Sequence, residues 1–293
     1  MAKAAPEVLD APVTSAPPSD RAVEASAART RAAVPPVRDV GYARRMNASH
    51  RRATVRRVVV ALGAILAIAG CRARVRQPPA PREATIADRV AQYGPAARAR
   101  LAPFFKAAGI AYPPQRFVLL GFKDERELHL LASSPGRDLA FIRFYPIYGA
   151  SGVLGPKLRG GDGQVPEGFY AIEYLNPNSV AHLSLALSYP NSYDRARAAE
   201  DGREDLGGDI MIHGGSGSIG CLAIGDQAAE ELFVLAADAG WENTVVVLSP
   251  VDFRRSVLPA DYRAPAPWVR DLYAELRAAL EVFPLEPARA SSG

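Results

Sequence analysis

Cysteine and histidine are scarce in this chain, with two and four copies in 293 residues. That is too few for a zinc finger or an iron–sulfur site of the usual ligand count, and too few for a disulfide scaffold. There is no HExxH, which removes that class of metalloprotease. Nor is there an apolar run of 18 residues, so no stably spanning helix is expected. Charge of one sign is nearly lacking too: 35 Lys+Arg stand against 31 Asp+Glu, a net +4. Neither a nucleic-acid partner nor a metal or other cofactor is expected. What is present is an ordinary globular balance, 48% apolar and 23% charged, enough to build a packed core.

The chain changes character along its length. Residues 1–45 contain no Phe, Trp or Ile and a single Leu9, too little apolar surface to offset chain entropy. They read as disordered, and as an extension ahead of a true start at Met46. Arg51, Arg52, Arg56 and Arg57 then precede a 12-residue apolar stretch from Val58 to Ala69, closed by Gly70-Cys71. A basic segment, a short apolar core and small residues describe an export signal over 46–70. Twelve helical residues rise about 18 Å, well short of a bilayer core. Leu66-Ala67-Ile68-Ala69-Gly70-Cys71 resembles the lipobox of bacterial lipoproteins, with Ile68 where Leu is usual. The resemblance implies lipidation of Cys71 and an exported, periplasmic protein held to the membrane by that anchor alone. Residues 71–84, rich in Arg and Pro, read as a tether.

A folded domain is predicted over 85–285, with its core at about 115–252 and a disordered tail over 286–293. Ile86, Val90 and Tyr93 recur at helical spacing, and Leu101 with Phe104-Phe105 makes a second apolar face. Strand character follows at Phe117–Phe122, Glu127–Ala132, Phe141–Ile147, Phe169–Tyr174, His182–Leu187, Asp209–His213 and Thr244–Leu248. Asp226 to Ala239 reads as a helix with Asp226 as its N-cap, and Trp268 to Phe283 as a last amphipathic helix. The class is α+β and β-rich.

Chemistry concentrates in Ile212-His213-Gly214-Gly215-Ser216-Gly217-Ser218-Ile219-Gly220-Cys221. A strand delivers His213 to its end, and the domain's one thiol follows eight positions later. Cysteine acyl transfer needs a thiolate, a basic neighbour and donors for an oxyanion. His213 supplies the second, while the glycines let the chain fold back and expose the N–H groups of Gly220 and Cys221. The same glycines also match GxGxxG, the dinucleotide fingerprint, with Asp238 as the following acid. Gly225-Asp226 breaks the helix that must begin at the last glycine, so that reading fails.

His213-Gly214 followed by Ser218-Ile219-Gly220-Cys221 resembles the active-site signature of the L,D-transpeptidase (YkuD) catalytic domain. The likeness extends through Gly155-Pro156-Lys157, Gly161-Asp162-Gly163-Gln164, Pro166-Glu167-Gly168-Phe169-Tyr170 and Leu175-Asn176-Pro177-Asn178. It continues through His182-Leu183-Ser184 and Tyr189-Pro190-Asn191-Ser192-Tyr193-Asp194, and is similar to the YafK-type branch. The resemblance implies a β-sandwich-like catalytic domain and a thioester on Cys221 formed with diaminopimelate-containing peptidoglycan stem peptides. It makes His213 the base, with Gly220 and Ser218 shaping the oxyanion site and Gly214 and Gly215 lining the floor. Lys157, Asp162 and Gln164 are candidates for the zwitterionic diaminopimelate end, and Tyr193, Asp194 and Arg195 for the cleft wall. His182 reads as a strand residue. The main family pattern carries an Arg two residues after the Cys; here that position is Ala223. Its absence leaves two outcomes open, transpeptidation or an amidase reaction on murein-bound lipoprotein. A murein-binding lipoprotein with an inert site is the non-enzymatic alternative.

Overall fold

The computed structural model describes residues 82–286, within a unit that begins at Arg82. The expectations for residues 1–45, for the export signal, for Cys71 and for most of the tether and tail lie outside the described residues. Among the described residues no helix is long and apolar enough to cross a membrane.

Nine strands form one mixed sheet in the order β3-β2-β1-β9-β5-β6-β7-β8-β4. In chain order they are β1 (Arg116–Phe122), β2 (Glu127–Ser133), β3 (Ala140–Pro146), β4 (Gly149–Ala150) and β5 (Gly168–Asn176). Then come β6 (Ser184–Leu187), β7 (Met211–His213), β8 (Leu222–Ala223) and β9 (Val245–Ser249). The first half of β5 pairs with β9 and its second half with β6, with a register shift between Ile172 and Tyr174. A bulge bends a strand and increases its twist, so the sheet curls there and turns β6–β8 away from β1–β3. The expected α+β, β-rich class is what the structure has.

Helices cover both faces. α1 (Ile86–Ala108) opens on a capping box between Thr85 and Asp88 and closes on Gly109 in the left-handed conformation. It is one continuous helix through Pro95 and Pro103, where the sequence suggests two apolar faces. Leu101 and Phe105 pack with Leu232 and Phe233 of α3 (Asp226–Ala239) over one side of the sheet. Arg98 with Asp238, and Arg100 with Glu230 and Glu231, bind the two helices at their edge. On the other side, Leu272, Leu276 and Leu280 of α4 (Val269–Leu280) meet Val118, Leu120 and Phe122 of β1. β1 is thus buried on both faces, which explains why its sequence shows no polar alternation.

α2 (Ser192–Glu200), with Asn191 as N-cap, is a helix absent from the sequence-based expectations. Two further differences concern boundaries. His182 lies ahead of β6, at φ 73°, rather than inside a strand. The N-cap of α3 is Gly225, at φ 80°, and Asp226 is the first helical residue. Asp226 is displaced from the capping role because its Oδ1 accepts the Gly215 N–H at 2.8 Å.

Candidate active site

β7 and β8 run parallel, with Ile212 beside Leu222 and His213 beside Ala223. Cys221 lies in the bend immediately before β8, two positions ahead of Ala223, the partner of His213. The β7–β8 pairing thereby sets the turn that carries the thiol beside the strand that carries the imidazole.

The imidazole is held from behind. His213 is 9% exposed, and its Nδ1 lies 2.6 Å from the Gly214 carbonyl. A carbonyl only accepts, so Nδ1 carries a proton, and Nε2 has no hydrogen-bond partner among the described residues. The Gly214 N–H donates to the Leu183 carbonyl at 3.2 Å, and Ile224 N–H to the His213 carbonyl at 2.9 Å. Gly214 has to be glycine: an added Cβ would press on Asp226 Oδ1 and the Ala181 carbonyl.

The thiol is half-buried and free of any disulfide. Its Sγ donates to the Asp209 carbonyl at 3.5 Å, and no hydrogen bond joins it to His213 among the described residues. Burial pushes the Cys221 thiol up. The Met211 backbone N–H and the Lys157 charge pull against that shift, and the Asp209 charge adds to it. Nε2 of His213 has no hydrogen-bond partner among the described residues.

Ser218 organises the turn before the thiol. Its Oγ donates to the Cys221 carbonyl at 2.6 Å and accepts from Ser151 N at 3.2 Å and Gly220 N at 3.3 Å. The side chain thus braces the loop and holds the Gly220 N–H by a long bond. Gly220 sits at φ 126°, a conformation that side chains rarely adopt, and a Cβ there would face the Gln164 carbonyl. Gly215, at φ 66°, is anchored through its N–H to Asp226 and through its carbonyl to Gly225 N.

The upstream candidates are occupied by their own loop. Lys157 Nζ contacts Asp162 Oδ1 at 2.5 Å and the Arg159 carbonyl at 2.9 Å, with its side chain 4% exposed. Asp162 also accepts from the N–H groups of Leu158, Arg159 and Gln164. These bonds outweigh burial and hold its carboxyl below the usual range. The Gln164 amide spans the carbonyls of Val153 and Gly155 and accepts Val153 N–H at 2.9 Å. Tyr193, Asp194 and Arg195 belong to the first turn of α2. Tyr193 packs edge-on against Trp268, Asp194 caps Asn191 N–H at 2.9 Å, and Arg195 points to solvent. Burial pushes Asp194 up to about 6. None of these three contacts Cys221. His182 pairs with Glu230 at 3.1 Å and packs edge-on against Tyr93, tying the loop before β6 to α3 and α1.

From sequence Asp209 is only a strand residue, and its place beside the thiol carries no local signal. Ala223 is 0% exposed, between Tyr148 N–H, which donates to its carbonyl at 2.8 Å, and the backbone of Gly149. A cavity of about 500 Å³ opens against Gly215, Ser216 and Asp226, bounded by Arg143 and Tyr148; Cys221 and His213 do not line it. Glu127, His129 and Glu286 place three ligand atoms within 4.8 Å. Coordination through His129 Nε2 would put the ring proton on Nδ1. That nitrogen is buried without a hydrogen-bond partner, and Phe122 and Phe141 pack edge-on against the ring. His129 Nε2 contacts Glu127 Oε2 at 2.8 Å.

No family model matches the chain. A protein of Escherichia coli (strain K12) named "Putative L,D-transpeptidase YafK" is 39% identical over 120 residues, 40% of this chain and 46% of that relative. The counterpart in Escherichia coli O157:H7 matches equally. The chain spans about half the length of these curated relatives, and the identity bears out the resemblance read from the motifs. Among solved structures, the helical cell shape determining protein Pgp2 from Campylobacter jejuni is 17% identical, covering 57% of this chain and 69% of that one at a TM-score of 0.37. L,D-transpeptidase 1 of Mycobacterium tuberculosis is 12% identical, covering 46% and 62% at a TM-score of 0.27. Likenesses at these scores are too weak to bear on function.

Proposed function

We propose that the chain belongs to the L,D-transpeptidase family, in its YafK-type branch, and is a cysteine acyl-transfer enzyme acting on peptidoglycan. The observation that supports this reading most is the tethered imidazole: Nδ1 bound to the Gly214 carbonyl, Nε2 without a hydrogen-bond partner among the described residues, and Cys221 in the turn that leads into the adjacent strand. In the first half-reaction Sγ attacks the carbonyl of a diaminopimelate-containing stem peptide as its proton passes to Nε2. The tetrahedral oxyanion is met by the Cys221 N–H, while the Gly220 N–H donates to Ser218 Oγ and fixes the turn. Its collapse breaks the C–N bond, the amine leaves with the proton held by His213, and a thioester on Cys221 remains. An amine or a water molecule then attacks the thioester, giving its proton to the imidazole, and the thiol is regenerated.

The second reading differs only in the acceptor. Ala223 lies buried where the main family pattern has a cation, so no guanidinium stands there to hold a carboxylate of an incoming peptide. That favours water, and an amidase releasing lipoprotein from murein. Full-length protein is to be incubated with defined muropeptides, with and without an amine acceptor, and its products weighed. A thioester adduct on Cys221 is the expected result in both arms, and the product masses separate transferase from hydrolase. Absence of any adduct or product would leave a murein-binding protein and sink the enzymatic reading.

The anchor is proposed from sequence alone. Mature protein extracted from bacterial membranes is expected to begin at Cys71 and to carry added acyl mass. An unmodified chain beginning at Met1 would overturn that.

A further inference from the structure

We propose that the carboxylate of Asp209 is the recognition point for a substrate ammonium group bound beside Cys221. The inference rests on the acyl-transfer reading and adds to it which end of the substrate enters next to the nucleophile.

Asp209 leads directly into β7, and its carbonyl receives the thiol. Its backbone lies at φ 55°, in the left-handed region that residues with a Cβ seldom occupy. Its side chain is exposed, and among the described residues its carboxylate has neither a hydrogen bond nor an ion pair. Yet its charge is felt by two groups at once, Cys221 and Tyr174, both of which it pushes up. Tyr174 is 43% exposed and lies in register with Ala186 and, through it, with Met211, the residue beside Cys221.

The other charges facing the thiol do not compete for this role. Lys157 is committed to Asp162 and the Arg159 carbonyl, and His213 is the base. The unspent charge is therefore negative, and its complement is an ammonium. Pairing would also act on the chemistry. An unpaired Asp209 opposes the thiolate; an ammonium on it cancels that opposition while the Lys157 charge continues to favour ionisation. Substrate arrival would then ease transfer of the thiol proton to His213.

The test compares two stem peptides, one bearing a free ammonium on the residue that is acylated onto Cys221 and one N-acetylated there. Both are offered to full-length wild type, Asp209→Asn and Asp209→Glu. Wild type is expected to form the thioester faster with the ammonium peptide by about two- to fivefold, the range for one partly exposed charge pair. Asp209→Asn should lose that preference and Asp209→Glu should regain part of it. Without substrate, the pH midpoint for iodoacetamide labelling of Cys221, followed by peptide mapping, should move lower in Asp209→Asn because a like charge has gone. A residue that merely shaped the loop would slow both peptides alike and would not move the midpoint downward. Retained preference in Asp209→Asn, no preference in wild type, or an unmoved midpoint would overturn the inference while leaving the enzyme reading intact. Failure of both peptides to acylate wild type would remove that reading, and this inference with it.

Discussion

Replacing Cys221 by serine is expected to abolish turnover, a loss on the order of 10⁴-fold or more, as for removal of a nucleophile that acts as one unit with its base. The reason is visible around the sulfur. Burial and the Asp209 charge already disfavour the ionised thiol, and only the Met211 N–H and Lys157 favour it. A hydroxyl begins much further from ionisation and meets the same surroundings. The fold should survive, because Sγ makes one long bond to the Asp209 carbonyl and is only half-buried. Melting temperature should therefore move little. Intact mass after incubation with a stem peptide should show neither thioester nor ester. A serine variant that keeps a few per cent of the wild-type rate would place the nucleophile elsewhere.

His213→Ala should reduce the rate by roughly 10²–10⁴-fold at neutral pH, the usual range for general acid–base help. Burial pushes the thiol up, so the loss is one of proton transfer and has a recognisable pH dependence. Wild type should be active below the pH at which the thiol ionises unaided. The alanine variant has no base, and its rate should climb as rising pH converts thiol to thiolate in solution. The gap between the two should therefore narrow above the thiol pKa. A gap that stays constant across that range would mean the imidazole does not take the thiol proton.

Much of the candidate site could be proposed from sequence because its two candidate groups lie within one short segment. His213, Cys221 and the four glycines between them are neighbours in sequence, and a glycine-rich loop leaving a strand is a local pattern. The helix from Asp226 to Ala239 and the strands of the central sheet were legible for the same reason. Periodicity and turn residues act over a few positions, and a helix or a strand is built over that distance. The mature start and the lipidated Cys71 rest on sequence alone.

Contacts far apart in sequence were decided by the tertiary structure. β4 and β8 are two residues each, too short for any periodicity, and exist because Gly149-Ala150 and Leu222-Ala223 find each other. The β7–β8 pairing sets the turn that carries Cys221 beside the strand that carries His213. Lys157 and Gln164 look like ligands in sequence because charge and amide are all a sequence displays. Folding spends them on Asp162 and on the carbonyls of Val153 and Gly155, where burial demands partners. Asp209 is the converse. It has no motif of its own, and the fold leaves its carboxylate unpaired beside the nucleophile. Sequence determines which groups are available over short stretches; whether a polar group is consumed or left free depends on partners that only long-range packing brings near.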